Sequence, residues 1–279
     1  MNGHNAKLPC RMCEIKGIRN DTSKTHYVPL NQNNFSSASP RQYDLSVLPL
    51  HTHERFIQQA EEVQNAVTVA ASDRLATMYG VKGIPLLSSL ASLSFPASFS
   101  YDFMHLIWAN LIPNLILMWT GNFKDLNHQY EGYLLLKSAW EAIGAATAAA
   151  GDTIPATFWA QLPNLASDAS HISTKMCSIW TLYFAPTLLH RRFQQQRFYK
   201  HFLHLVCLLK LCMEFELTQE QIDELEEGFK NWVEDYEQYV KSTVFSPYQL
   251  TPPKIVLPTR PPPHCGMSCH DPCTSPHSP

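Results

Sequence analysis

Apolar side chains recur at helical spacing through the middle of the chain, and that periodicity fails at both ends. Phe56, Ala60, Val63, Val67, Ala70 and Leu75 follow one another about every 3.6 residues, which predicts a single helix over 52–79. Thr52 stands where its hydroxyl can accept an early amide, and Gly80 where a left-handed residue ends a helix. Residues 80–103, with Gly80, Gly83, Pro85, Pro96 and many serines, read as a loop. Met104–Trp119 is the most apolar stretch, but it holds Asn110, Pro113 and Asn114 and falls short of the roughly 20 apolar residues that a membrane span needs. A buried helix kinked at Pro113 is expected there.

Ser138–Ala150 reads as an Ala-rich helix closed by Gly151, and residues 173–190 and 198–213 as two apolar helices on either side of a basic segment. Leu217–Lys241 is an acidic amphipathic helix whose inner face carries Ile222, Leu225, Phe229, Trp232, Val233 and Tyr236. Thr218-x-x-Gln221 opens it as a capping box. Residues 1–48 are polar and rich in Asn and Ser, with one short strand candidate at Thr25–Pro29. From Ser246 onward ten prolines leave no period of either kind, and the tail is expected to be disordered. The expected class is mainly α, divided into an irregular Cys-containing module (1–50), a helical region (51–245) and a Pro/Cys-rich tail (246–279). No internal repeat is visible.

Composition narrows the function classes. Of 279 residues 45% are hydrophobic and 16% charged, with a net charge of −3. A chain disordered throughout is excluded, because low hydrophobicity and high net charge are both missing. A globally basic nucleic-acid glove is excluded too, since no overall positive field would steer a polyanion. The first 20 residues show no apolar core of a signal peptide, so a reducing, non-secreted setting is expected, cytoplasmic by default. In that setting a close Cys pair suggests metal before disulfide.

Four features could carry chemistry. Cys10-x-x-Cys13 places two thiolates on one side of a knuckle, half of a tetrahedral zinc site; the alternative is a reduced pair with no joint role. A thioredoxin-like role fits poorly, because no βαβ pattern surrounds the pair. Asp102-x-x-His105 is either an ordinary N-cap with an incidental histidine or an oxygen and a nitrogen for the same metal. His51-x-His53 could bind one ion from a strand, though just before a helix a solvated pair is the plainer reading. Between His190 and His201 the basic residues Arg191, Arg192, Arg197 and Lys200 alternate with aromatics. Such a segment could track phosphates and stack bases, or serve as a solvated connector with its aromatics turned inward. In the tail, Cys265, Cys269 and Cys273 with His264 and His270 have no spacing that justifies a compact knuckle.

Several blocks, in order, carry a family resemblance: GHNAKLPCRMCEIKGIR, THYVPL, YGVKGIPLLSSLASLSFPASFSYDFMHLIWANLI, SAWEAIGAATAAAG and IWTLYFAPTLLHRRF. Over roughly residues 1–245 the chain resembles the fungal branch of CACTA-type (En/Spm-like) DNA transposases. The resemblance implies the helical insertion and C-terminal part of an RNase H-like transposase. In the intact family an Asp/Asp/Glu set holds two Mg²⁺ or Mn²⁺ ions that cut transposon ends and join them to a target. It further implies that Cys10, Cys13, Asp102 and His105 act together as a structural zinc-type site. Its partners would be transposon-end DNA, a separate nuclease core or further copies of itself, in the nucleus, with no membrane and no small-molecule substrate.

The departures carry equal weight. Neither catalytic Asp has a counterpart, and where the Glu block is expected the sequence turns into the proline-rich tail. Glu141 and Asp152 are acids within the body that nothing marks as replacements. The expectation is therefore a transposase-like fragment, catalytically inactive alone, with a domesticated DNA- or protein-binding module carrying a structural zinc as the alternative.

Overall fold

The computed structural model describes residues 6–19, 26–33, 42–123, 132–151, 161–168 and 171–243. These residues form a mainly helical protein. The expected strand near Thr25–Pro29 appears as β2 (His26–Tyr27), which pairs antiparallel with β1 (Ile18–Arg19) in the register Ile18↔Tyr27 and Arg19↔His26. The tail 246–279 lies outside the described residues, as does Asp152.

The helix expected over 52–79 is two helices. In α1 (His53–Gln64) the Thr52 hydroxyl accepts the Arg55 amide, as its position suggested. The chain then breaks, and Thr68 caps α2 (Val69–Tyr79) by accepting from the Ala71 amide. The break lets α2 fold back on α1: Ser72 Oγ donates to the Val63 carbonyl at 2.9 Å, and Tyr79 Oη donates to Glu62 Oε2 at 2.6 Å. Val67 and Ala70 consequently face solvent, and Phe56, Ala60 and Val63 are the buried members of the expected stripe. Gly80 ends α2 in the left-handed region at φ 77°, where a side chain would also meet the Leu8 carbonyl oxygen.

Met104–Leu111 is wound as a π-helix that continues into α3 (Ile112–Trp119). The Ile112 amide reaches back five residues to the Ile107 carbonyl. The widened turn stands immediately before Pro113, which has no N–H and cannot tolerate a tight preceding turn. The same device precedes Pro186. There α5 (Thr174–Ile179) passes through a π-helical stretch, Trp180–Phe184, into α6 (Ala185–Leu188), and the Ala185 amide donates to the Trp180 carbonyl. No helix among the described residues is long and apolar enough to cross a membrane.

α4 (Lys137–Ala150) buries Ile143, Gly144 and Thr147. The Thr147 hydroxyl accepts the indole N–H of Trp180 at 3.2 Å in the core. α7 (Gln196–Cys212) and α8 (Gln219–Thr243) form a hairpin. The capping box is present: the Thr218 amide donates to Gln221 Oε1 at 2.8 Å, and the Gln221 amide donates to Thr218 Oγ1 at 3.3 Å. Phe229, Trp232, Val233 and Tyr236 are buried, each worth about 1.5–3 kcal/mol of apolar burial. Ile222, expected on the same face, is exposed in the first turn of α8. The main core joins α3, α4, α5, α7 and α8. A smaller cluster holds Phe56, Ala60, Val81 and Phe95, and another holds Cys10, Cys13 and Ile15.

Candidate metal-ligating and nucleic-acid sites

The N-terminal module is pinned to the rest of the molecule at several points. The Lys7 amide donates to the Thr77 carbonyl at 2.7 Å, and the Leu30 amide donates to the buried carboxylate of Glu237 on α8 at 2.6 Å. Within the module the Met12 and Cys13 amides both point at Cys10 Sγ, each at 3.4 Å. Two N–H groups aimed at one sulfur make a knuckle suited to a thiolate, because they supply partial positive charge where the negative charge sits. The Tyr101 hydroxyl adds a third contact to Cys10 Sγ at 3.3 Å. Arg11 lies over the Tyr101 ring at 5.1 Å and donates to the Ser100 carbonyl at 2.6 Å.

These contacts separate the two thiols. Cys10 is brought down to about 6, mainly by a hydrogen bond from the Cys13 thiol and next, against the opposing effect of burial, by the Tyr101 hydroxyl. Cys13 moves the other way: its proton is held by the Cys10 sulfur, and burial adds to the effect. Tyr101 is raised by burial and by the adjoining Cys10 charge. The two shifts are opposite in direction, so Cys10 is the thiol favoured to carry charge and Cys13 the one favoured to keep its proton. Both cysteines are free and almost wholly buried, Cys10 at 5% and Cys13 at 0% exposure.

Asp102 and His105 stand at the start of the π-helical segment. Asp102 does cap it: Oδ1 accepts the His105 amide at 3.1 Å, while the His105 ring Nδ1–H donates to Oδ2 at 2.7 Å. The amide bond and then the ring lower the Asp102 carboxyl. A histidine held this way through Nδ1 presents Nε2 outward, which is how carboxylate-oriented imidazoles are set for metals. Both side chains are exposed, at 58% and 65%. The structure thus brings the segment carrying Asp102 up to Cys10, but the residue that touches the sulfur is Tyr101. Among the described residues no group of three or more His, Cys, Asp or Glu side chains converges as a metal site. Cys10 and Cys13 lie side by side, whereas the Asp102 carboxylate stands behind the His105 ring, so in this geometry that pair offers one outward nitrogen and not an oxygen and a nitrogen to the same ion.

Other expectations resolve differently. His51 and His53 diverge. His51 Nδ1 is 3.4 Å from Glu14 Oε1, which also pairs with Arg55 Nε at 2.5 Å, and burial chiefly lowers the His51 ring. His53 Nδ1 accepts the Phe95 amide at 2.9 Å. Each imidazole is engaged through Nδ1 by a different part of the fold. In the basic segment Arg191, Arg192, Arg197 and Lys200 are exposed, whereas Phe193 and Phe198 are buried. Arg191 takes a left-handed φ of 58°. Arg197 lies over the Phe198 ring at 4.8 Å, and the Tyr199 hydroxyl donates to the Pro186 carbonyl at 2.6 Å. The aromatics anchor the connector and leave the cations as a ridge. Phosphate contact is open to this ridge, and base stacking on Phe193 or Phe198 is not.

Three features were not read from the sequence. Tyr101 was adjacent to Asp102 and carried no motif of its own. Asp168-x-x-His171 repeats the spacing of Asp102 and His105 and shows the same carboxylate–imidazole bond, so a search for repeated spacing would have found it. His201 stacks on Trp232 with ring centroids 4.5 Å apart, and only the folded hairpin places them together. Comparison with protein-family models, with curated proteins and with solved structures gives no match.

Proposed function

We propose that this chain is a non-catalytic, transposase-like helical fragment that binds DNA phosphates through the ridge formed by Arg191, Arg192, Arg197 and Lys200. In this reading a structural zinc held by Cys10, Cys13, Asp102 and His105 steadies the N-terminal module. The observation that carries the reading is the arrangement of the connector: its four cations face solvent while the alternating Phe193 and Phe198 are fixed in the core. The nuclear setting and transposon-end DNA belong to the same reading and rest on the family resemblance.

The decisive experiment is fluorescence anisotropy with a duplex oligonucleotide over a range of salt. Neutralising the four cations together should reduce the slope of log affinity against log salt by about 3–4, roughly one per phosphate contact. An unchanged slope would sink the DNA reading. The zinc half is tested separately by metal content: Cys10→Ser and His105→Ala should each lower bound zinc, and unchanged content in both removes the site. With Mg²⁺ or Mn²⁺ the purified chain should leave supercoiled plasmid intact, and nicking abolished by a chelator would restore catalysis.

A further inference from the structure

The turn between α7 and α8 has an unusual surface. Met213, Phe215, Leu217 and Ile222 are all exposed, and Phe215 is as exposed as in an extended peptide, at 106%. Among the described phenylalanines it alone is exposed. The residues around it are acidic: Glu214, Glu216, Glu220, Asp223 and Glu224 all face solvent, with no Lys or Arg between residues 211 and 229. A fully exposed aromatic with an acidic surround fits an interface anchor with a charged rim.

The complement lies at the other end of the same helix. No acidic residue occurs between 190 and 213, and Arg191, Arg192, Arg197 and Lys200 are exposed there. α8 returns Glu234 and Asp235 toward this end, while Glu237 is turned inward to the Leu30 amide, so cations remain in excess. An apolar contact is available as well. The segment beginning at Gly132 runs against the Gln195 side chain and leads to Leu136, which is exposed. The 17 residues of α7 separate the two ends by about 25 Å, well beyond the screening length of about 8 Å at physiological salt. The opposite charges of one chain therefore cannot neutralise each other.

We propose that the acidic, apolar tip of the α7–α8 hairpin docks on the basic end of a second copy of this chain. Phe215 packs beside the copy's Leu136, and Glu214 and Glu216 face its Arg191 and Arg192. The contact is head-to-tail, so it leaves a free tip and a free basic end and propagates instead of closing as a two-fold dimer. Because the basic end is also the proposed DNA ridge, DNA and a second copy compete for it. The docking itself stands on the exposed tip and the charge separation, whether or not DNA binds.

The test is sedimentation velocity on the full chain under reductant, at about 50 mM and about 500 mM salt. The expected result is concentration-dependent growth beyond the monomer at low salt, lost at high salt. Phe215→Ser should weaken association by at least about tenfold. The tip reversal Glu214→Lys/Glu216→Lys and the end reversal Arg191→Glu/Arg192→Glu should each be monomeric alone and associate when mixed, which a folding defect in either would not allow. A monomer at both salts overturns the proposal. So does association that survives Phe215→Ser, or two reversed variants that stay apart on mixing.

Discussion

Replacing His201 by Phe should change how stability depends on pH, and the change can be worked from the hairpin geometry. The imidazole is buried, stacked on Trp232 at an interplanar angle of 11°, and its Nε2–H donates to the Trp232 carbonyl at 2.9 Å. Trp232 returns a bond from its indole N–H to the His201 carbonyl at 3.1 Å, which the substitution leaves in place. Burial depresses the ring from its ordinary 6.5 to about 4. Folding therefore holds the ring neutral where the unfolded chain would take up a proton. The contribution is fully present above pH 6.5 and is lost as the pH falls toward 4. Each pH unit in that window costs about 1.4 kcal/mol, on the order of 3 kcal/mol in all. Phe keeps the ring stack and has no proton to gain. At neutral pH the variant should be less stable by about 0.5–1.5 kcal/mol, the net worth of the lost hydrogen bond. Below about pH 5 it should be the more stable of the two. Urea unfolding of both proteins across pH 4–7.5 measures the difference, in which the carboxylates common to both cancel. A difference that stays constant with pH would show that His201 titrates as a solvent-exposed imidazole and that the clamp is misread.

Further predictions concern the core, the module's attachment and the thiol pair. Thr147→Val keeps the side-chain shape but strips the Trp180 indole of its buried acceptor, and should cost about 1–3 kcal/mol in chemical denaturation, whereas Thr147→Ser should cost less. Gly80→Ala would force a side chain onto the Leu8 carbonyl at a left-handed φ, and should lower stability by about 1–3 kcal/mol and make the N-terminal module more susceptible to limited proteolysis. Cys13→Ala removes the thiol that most lowers Cys10, so the Cys10 thiolate absorbance should titrate above the parent's value of about 6, measured as the difference from Cys10→Ser. Because Cys10 is depressed, its contribution to stability should rise with pH from about 6 to its unfolded value and be absent at lower pH.

The helices were legible because their causes are local. An apolar stripe, a Thr-x-x-Gln box or a proline acts over a few residues, and the helices at 104–119, 138–150 and 217–241 fall close to where those signals put them. The basic connector could also be read from alternation alone: its aromatics turn in and its cations out. Folding decided the rest. Asn65 and Thr68 were the local signs that one apolar stripe is divided, and the periodicity overrode them; the gain from dividing it comes from α2 packing back on α1 through Ser72 and Tyr79. Ile222 kept the right spacing yet is exposed, because spacing records which side of a helix is apolar and not what covers it. The same limit governs the candidate site. The sequence by itself supplied Cys10, Cys13, Asp102 and His105 as residue types able to bind metal. Only the tertiary structure showed that Tyr101 meets the Cys10 sulfur, whereas the cap at Asp102, which also holds the His105 ring three residues on, is local. Contacts across some 90 residues depend on how the intervening chain reverses, and no local pattern encodes that.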